Sequence, residues 1–262
     1  MVPPGIEVDL SPPASAFIKR EEGTWVWRMT DPRGRRLVAK MYRRRGLLSV
    51  LRSRVFRFRV EREHRRLLHL VRHGIPCTPP FAWRSGYSEA HGHHEVLLTE
   101  EVHGALQLRD YLLDGGGTDI LPHLFKLVRK MHESGFCCQT LYATNVLVRA
   151  KGPVEDRCLI SDVPRSWTFP AGIAGTTLAW YDVLDLSLGL VDVGVPPNAI
   201  PIDAYGFEGR GRAWWGRFGP TESGAFLDSR AKGIRARRDV IARLRWAAAW
   251  TRHWLVGLSG AF

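Results

Sequence analysis

The stretch from His132 to Val148 (HESGFCCQTLYATNVLV), read with Asp162 in LISDVPRSW, restricts the fold more than any other part of the chain. A helical pattern ends at His132-Glu133-Ser134, with Gly135 as its stop. An irregular segment follows, and Asn145 then opens the short apolar strand Val146-Leu147-Val148. A second apolar strand, Cys158 to Ile160, delivers Asp162. Any fold for this chain must accommodate that order: helix, loop ending in Asn, strand, turn, strand ending in Asp.

With 262 residues, 45% of them hydrophobic, the chain can bury a substantial core, as one domain or as two lobes sharing a cleft. The net charge of +12 points to an anionic partner: nucleic acid, phosphorylated lipid or a membrane surface. Cys77, Cys137, Cys138 and Cys158 show neither zinc spacing nor disulfide-scaffold density, which fits a reducing compartment. Cys137 and Cys138 have no neighbouring cation to activate them and read as buried structural thiols. The first residues lack a basic and apolar leader, and no uncharged apolar run of about 18 residues occurs, so any membrane association is expected to be peripheral.

In chain order, Phe17 to Arg20, Thr24 to Thr30 and Arg36 to Tyr42 read as strands, the last two joined by the turn Asp31-Pro32-Arg33-Gly34. Gly46 to His73 reads as helical and very basic, with eleven arginines between Arg43 and Arg72 opposed only by Glu61 and Glu63. Phe81 to Tyr87 and His94 to Thr99 read as strands around a loop from Ser88 to His93. His91, His93 and His94 gather no acidic or Cys ligands, so a solvated turn is expected there rather than a metal site. Leu106 to Leu113 and Ile120 to Met131 have helical periodicity. Farther on, Gly206 to Gly219 mixes glycine, arginine and aromatic residues, as either an interfacial surface or a core edge would. Arg235 to Trp254 reads as a basic amphipathic helix suited to a bilayer surface.

The order of elements resembles the catalytic segment of protein-kinase-like phosphotransferases. Val38-Ala39-Lys40 resembles their phosphate-pairing strand, and the segment Glu63 to Pro76 (E-x-x-x-L-L-x-L-x-x-x-G-I-P) resembles that of bacterial lipopolysaccharide core kinases, the Kdo and heptose kinases of the inner core. The resemblance spans roughly residues 17 to 190. It implies an α+β, bilobal protein-kinase-like fold, with a small antiparallel-sheet N-lobe (1–101) and a mainly helical C-lobe (102–262).

It also implies ATP and Mg²⁺ as cofactors, with transfer to a core sugar on a lipid-linked acceptor at the cytoplasmic face of the inner membrane. Lys40 would pair the phosphates, Glu63 would orient it, and Asn145 and Asp162 would hold metal. Gly23 would stand in the phosphate lid, while Glu100 and Val102 would meet the base. Where H-R-D-L-x-x-x-N places the general base, five residues before the Asn, this chain has Thr140, and Cys138 stands at the His. Arg165 reads either as a group facing the acceptor phosphate or as a surface residue. Asp182 reads as a helix-start or loop-bracing carboxylate. Two alternatives stay open: a pseudokinase binding nucleotide or glycolipid without transfer, and a basic nucleic-acid-binding protein, for which no supporting motif is present.

Overall fold

The computed structural model describes residues 8–43 and 59–219, so the expected helix from Gly46 falls partly, and the Arg235 to Trp254 helix wholly, outside the described residues. The chain divides into two compact units. The first comprises Met1–Arg72, Cys77–His103 and Asp162–Pro164; the second comprises His73–Pro76, Gly104–Ser161 and Arg165–Phe262.

In the first unit, β1 (Phe17–Glu21), β2 (Thr24–Thr30), β3 (Arg36–Arg43), β4 (Pro80–Ser88) and β5 (Gly92–Glu100) form one antiparallel sheet in the order β1-β2-β3-β5-β4. The β2–β3 turn closes on Asp31, whose carboxylate accepts the N–H groups of Arg33 and Arg35 at 2.9 and 2.8 Å, with Gly34 at φ 78°. Alternation along β3 then sorts its side chains between two faces. Leu37, Ala39 and Met41 join Val8, Trp27, Ala82, Val96 and Leu98 in a buried apolar cluster. Lys40 and Tyr42 are sent to the other face. There α1 (Arg59–Arg72) packs on β4 and β5 with Val60, Glu63, Leu67 and Leu70 buried.

The β4–β5 hairpin corrects two expectations. Pairing runs on to Tyr87↔His93 and Ser88↔Gly92, so the loop shrinks to residues 89–91. His91 and His94 are 9% and 4% exposed, against the solvated turn read from sequence. His91 lies edge-on to Trp25, and His94 Nδ1 is 2.9 Å from the Gly92 carbonyl. The ladder and an aromatic neighbour thus withdraw polar rings that composition alone assigns to water.

In the second unit, β6 (Leu106–Gln107) pairs with β8 (Val146–Val148), which pairs with β9 (Cys158–Ile160). The helix expected from Leu106 starts two residues later, as α2 (Leu108–Leu113), because the ladder claims Leu106 and Gln107. After a 3-10 turn at Thr118–Ile120 comes α3 (Leu121–Glu133), buried along Leu121, Leu124, Phe125, Val128, Met131 and His132. Gly135 stops this helix at φ 79°, and a Cβ there would meet the Phe169 carbonyl oxygen at 2.4 Å, so glycine is required on both counts. The segment read as irregular contains β7 (Phe136–Cys137), paired with β10 (Trp167–Thr168).

Next, α4 (Thr177–Val191) is buried on nearly every side, as the core helix of a larger unit must be. It opens five residues before Asp182, so the helix-start reading of that carboxylate fails. Short helices α5 (Ile202–Tyr205) and α6 (Arg210–Phe218) follow. Around them Trp180, Tyr205, Phe207 and Trp215 form ring contacts, placing this stretch at a core edge. Among the described residues, no helix is long and apolar enough to cross a membrane.

Candidate active site

Lys40 projects from the sheet face that carries α1. Its Nζ lies 3.1 Å from Glu63 Oε1, and it also forms an ion pair with Asp162. Tyr42 donates to the second Glu63 oxygen at 3.1 Å. Helix phase selects Glu63 over Glu61: Glu63 is 1% exposed, while Glu61 pairs with Arg65 one turn along. Burial opposes charge on Lys40, but Glu63 and Asp162 more than offset it, and the ammonium is held far above its usual range. Burial pushes the Glu63 carboxyl upward while Lys40 pulls it back. The proton belongs on the lysine, which has two carboxylates beside it.

The two carboxylates differ in access. Glu63 is enclosed, whereas the Asp162 side chain is 43% exposed and its backbone is left-handed, at φ 49°. An L-residue in that conformation is strained and persists only where its surroundings hold it. Here Arg66 on α1 donates to the Pro164 carbonyl at 2.7 Å, tying down the segment that Asp162 begins.

Gly23, at φ 82°, makes the tight β1–β2 turn, and its carbonyl accepts the Arg43 N–H at 3.0 Å. The Glu100 and Glu101 N–H groups are committed to the Pro79 and Arg36 carbonyls. The Glu101 carboxylate also accepts Arg28 and Arg36, at 2.9 and 2.8 Å.

In the second unit, Asn145 Nδ2 donates to the Thr140 carbonyl at 2.7 Å, and the Asn145 carbonyl accepts the N–H of Ser161 at 2.8 Å. Thr140 is 9% exposed, and its Oγ1 has no hydrogen-bond partner among the described residues. Arg165 is exposed.

Asp182 braces this loop from beneath. Its two oxygens accept the Cys138 and Gln139 N–H groups at 2.6 and 2.7 Å, and His132 Nε2 lies 3.2 Å from Oδ2. His132 Nδ1 is 2.8 Å from the hydroxyl of Tyr205, which donates to the Ala174 carbonyl at 3.1 Å. Gln139 sits at φ 61°, a second strained residue, one position before Thr140. Sequence reasoning missed His132 and Tyr205. The one available signal was a histidine at the end of an apolar helix, and its partners lie 50 and 73 positions away.

All four cysteines are free and buried, and burial pushes the Cys77 and Cys158 thiols up to about 12. Iodoacetamide near neutral pH is therefore expected to spare all four in the native protein and to alkylate them in guanidinium, as intact mass would show. Unfolded thiols ionise near 9.0 while the native pair keeps its protons to about 12. Stability present below pH 9 should thus fall as pH rises through that window, by up to about 1.4 kcal/mol per pH unit for each thiol. Rapid alkylation of the native protein would contradict this assignment. Among the described residues no His, Cys, Asp and Glu set of three or more could hold a metal ion.

An antiparallel five-stranded sheet with a helix on its Lys40 face, and a helical unit carrying the Asn loop, make this a protein-kinase-like fold. The solved structure of WaaP in complex with acyl carrier protein shares it, with a TM-score of 0.53 at 17% identity over 85% of this chain and 88% of that one. The Rio2 kinase of Chaetomium thermophilum, solved as an ADP/Mg²⁺-phosphoaspartate complex, matches more loosely: TM-score 0.49, 18% identity, 86% of this chain and 71% of that one. No curated protein sequence matches the chain. The profile of the lipopolysaccharide kinase (Kdo/WaaP) family matches residues 18–168, more than half the chain, and the protein belongs to that family.

Proposed function

We propose that the protein transfers phosphate from ATP to a sugar hydroxyl of the lipopolysaccharide inner core, on a lipid-linked acceptor at the cytoplasmic face of the inner membrane. The observation that carries this reading is Lys40 held between a buried and an accessible carboxylate. Glu63 keeps the ammonium aimed while Asp162 remains open to solvent and able to exchange its partner. Mg²⁺, when bound, would neutralise charge on the phosphates, and phosphoryl transfer depends mostly on such neutralisation and on positioning. Asp162 offers a hard oxygen ligand of the right chemistry. Asn145 offers another: its Nδ2 is committed to the loop, so its amide oxygen is the atom left to ligate. The Glu100 carbonyl and the Val102 peptide are the groups assigned to the base. Incubating the protein with labelled ATP and purified inner-core glycolipid should label the lipid.

Thr140 supports a second reading, a pseudokinase that binds nucleotide or glycolipid. A neutral hydroxyl with no hydrogen-bond partner among the described residues cannot accept a proton near pH 7 as a carboxylate does, and a general base contributes about 10²- to 10⁴-fold. For an enzyme with low basal turnover, Thr140→Asp should raise transfer by up to about 10²-fold. Robust wild-type transfer that falls in Thr140→Asp would identify another residue as base. Transfer absent from both proteins, with ATP still bound, would establish the pseudokinase.

A further inference from the structure

An acid stands in β5 where its neighbours are apolar. Glu95 precedes Val96, Leu97 and Leu98 and is 1% exposed, as deeply enclosed as they are. A carboxylate out of water is costly unless hydrogen-bond donors meet it, and nothing in the phosphate chemistry proposed above uses this one. Its Oε2 accepts the backbone N–H of Val60 at 3.1 Å.

Val60 is the second residue of α1. N–H groups in the first turn of a helix have no carbonyl one turn earlier to bond, and the helix dipole favours negative charge at that end. Their usual acceptor is the side chain of the residue just before the helix. Here an acceptor comes from a strand 35 positions away, so the bond ties the start of α1 to the sheet as well as satisfying the donor.

Strand register puts this tie beside the lysine. Tyr42 pairs with Glu95 and Lys40 with Leu97, so alternation sends all four to the sheet face that α1 covers. Arg59 lies 4.0 Å over the Tyr42 ring, and the Tyr42 hydroxyl donates to Glu63 Oε2. Val60 and Glu63 are separated by about 4.5 Å of helix rise, less than one turn. Holding Val60 on β5 therefore limits how far α1 can slide or rotate over β3, and with it whether Glu63 meets Lys40 at 3.1 Å.

We infer that Glu95 is a positioning residue: by fastening the first turn of α1 to β5, it sets Glu63 against Lys40. This role deepens the kinase reading and rests on it for the effect on nucleotide. Hydrogen exchange without nucleotide reads the tie by itself, so the two fail separately.

A hydrogen bond to a charged group is worth about 10- to 10²-fold in an opening equilibrium, so Glu95→Ala should speed exchange of the Val60 amide by about that factor. The turn through Glu63 should loosen with it, while the amides of Leu68 to Arg72 hold their wild-type rates. Glu95→Gln, which keeps an acceptor oxygen, should restore most of the protection. A merely destabilised protein would instead exchange faster along the whole helix. Glu95→Ala should also weaken Mg-ATP binding by about tenfold, the cost of one misplaced charged contact. The double variant with Glu63→Ala should bind no more weakly than Glu63→Ala alone, because both losses run through Lys40, whereas independent losses would multiply. Should Glu95→Ala fail to fold, Glu95→Asp, which withdraws the carboxylate by one methylene, carries the same measurements. Unchanged exchange at Val60 in the folded variant, a uniform rise along α1, or multiplied losses in the double variant would overturn the assignment. The expected exchange pattern in a protein that binds no Mg-ATP would uphold the tie and strike the kinase reading instead.

Discussion

Asp162→Asn is expected to abolish the thermal stabilisation that Mg-ATP confers, and to lower phosphate transfer by about 10²- to 10³-fold if transfer occurs. A ligand at about a hundred times its Kd stabilises the native state by about 2.7 kcal/mol, so the wild-type shift is large enough to measure and to lose. The unliganded variant should unfold near the wild-type temperature. Its half-exposed carboxylate contributes at most about 1 kcal/mol, and Lys40 keeps Glu63 as a partner. Lys40→Ala should behave alike toward nucleotide. Glu61→Gln, altering a carboxylate of the same helix that touches only Arg65 among the described ion pairs, should leave the Mg-ATP shift intact. Retention of the full shift in Asp162→Asn would remove Asp162 from the nucleotide site.

The second large effect lies at Asp182. Asp182→Ala leaves the Cys138 and Gln139 N–H groups and His132 buried without their acceptor, and each such group costs about 1–3 kcal/mol. A loss of about 3–5 kcal/mol in urea unfolding is expected from these unpaired groups together. Asp182→Asn keeps one acceptor oxygen and the side-chain volume, so it should cost less. The loss should extend to function, since Gln139 holds a strained backbone only while both amides are anchored, and Thr140 follows it. An Asp182→Ala protein as stable as wild type would show that the loop does not depend on this carboxylate.

Local signals account for much of the architecture. Alternating apolar residues mark β2 and β3, Asp31 to Gly34 marks their turn, and Gly135 marks the end of α3, because each depends on neighbours a few positions away. Where a long-range ladder competes with local propensity, the sequence misleads. Leu106 and Gln107 leave a helical pattern to pair with β8, and Gly92 and His93 leave a polar turn to extend β5. Helix packing likewise places Asp182 inside α4 rather than at its start.

For the candidate site, the chain by itself determined that a lysine sits on a strand, a glutamate on a basic helix, and an Asn and an Asp at the ends of short strands. The motif around Glu63 already favoured it over Glu61, and tertiary structure supplied the physical reason: burial of the α1 apolar stripe rotates Glu63 inward to Lys40 and leaves Glu61 to Arg65. It also decided the brace under the Thr140 loop. Periodicity reports which face of an element is buried, but a hydrogen bond between His132, Asp182 and Tyr205 depends on how separate helices pack, and that is set by the whole core at once.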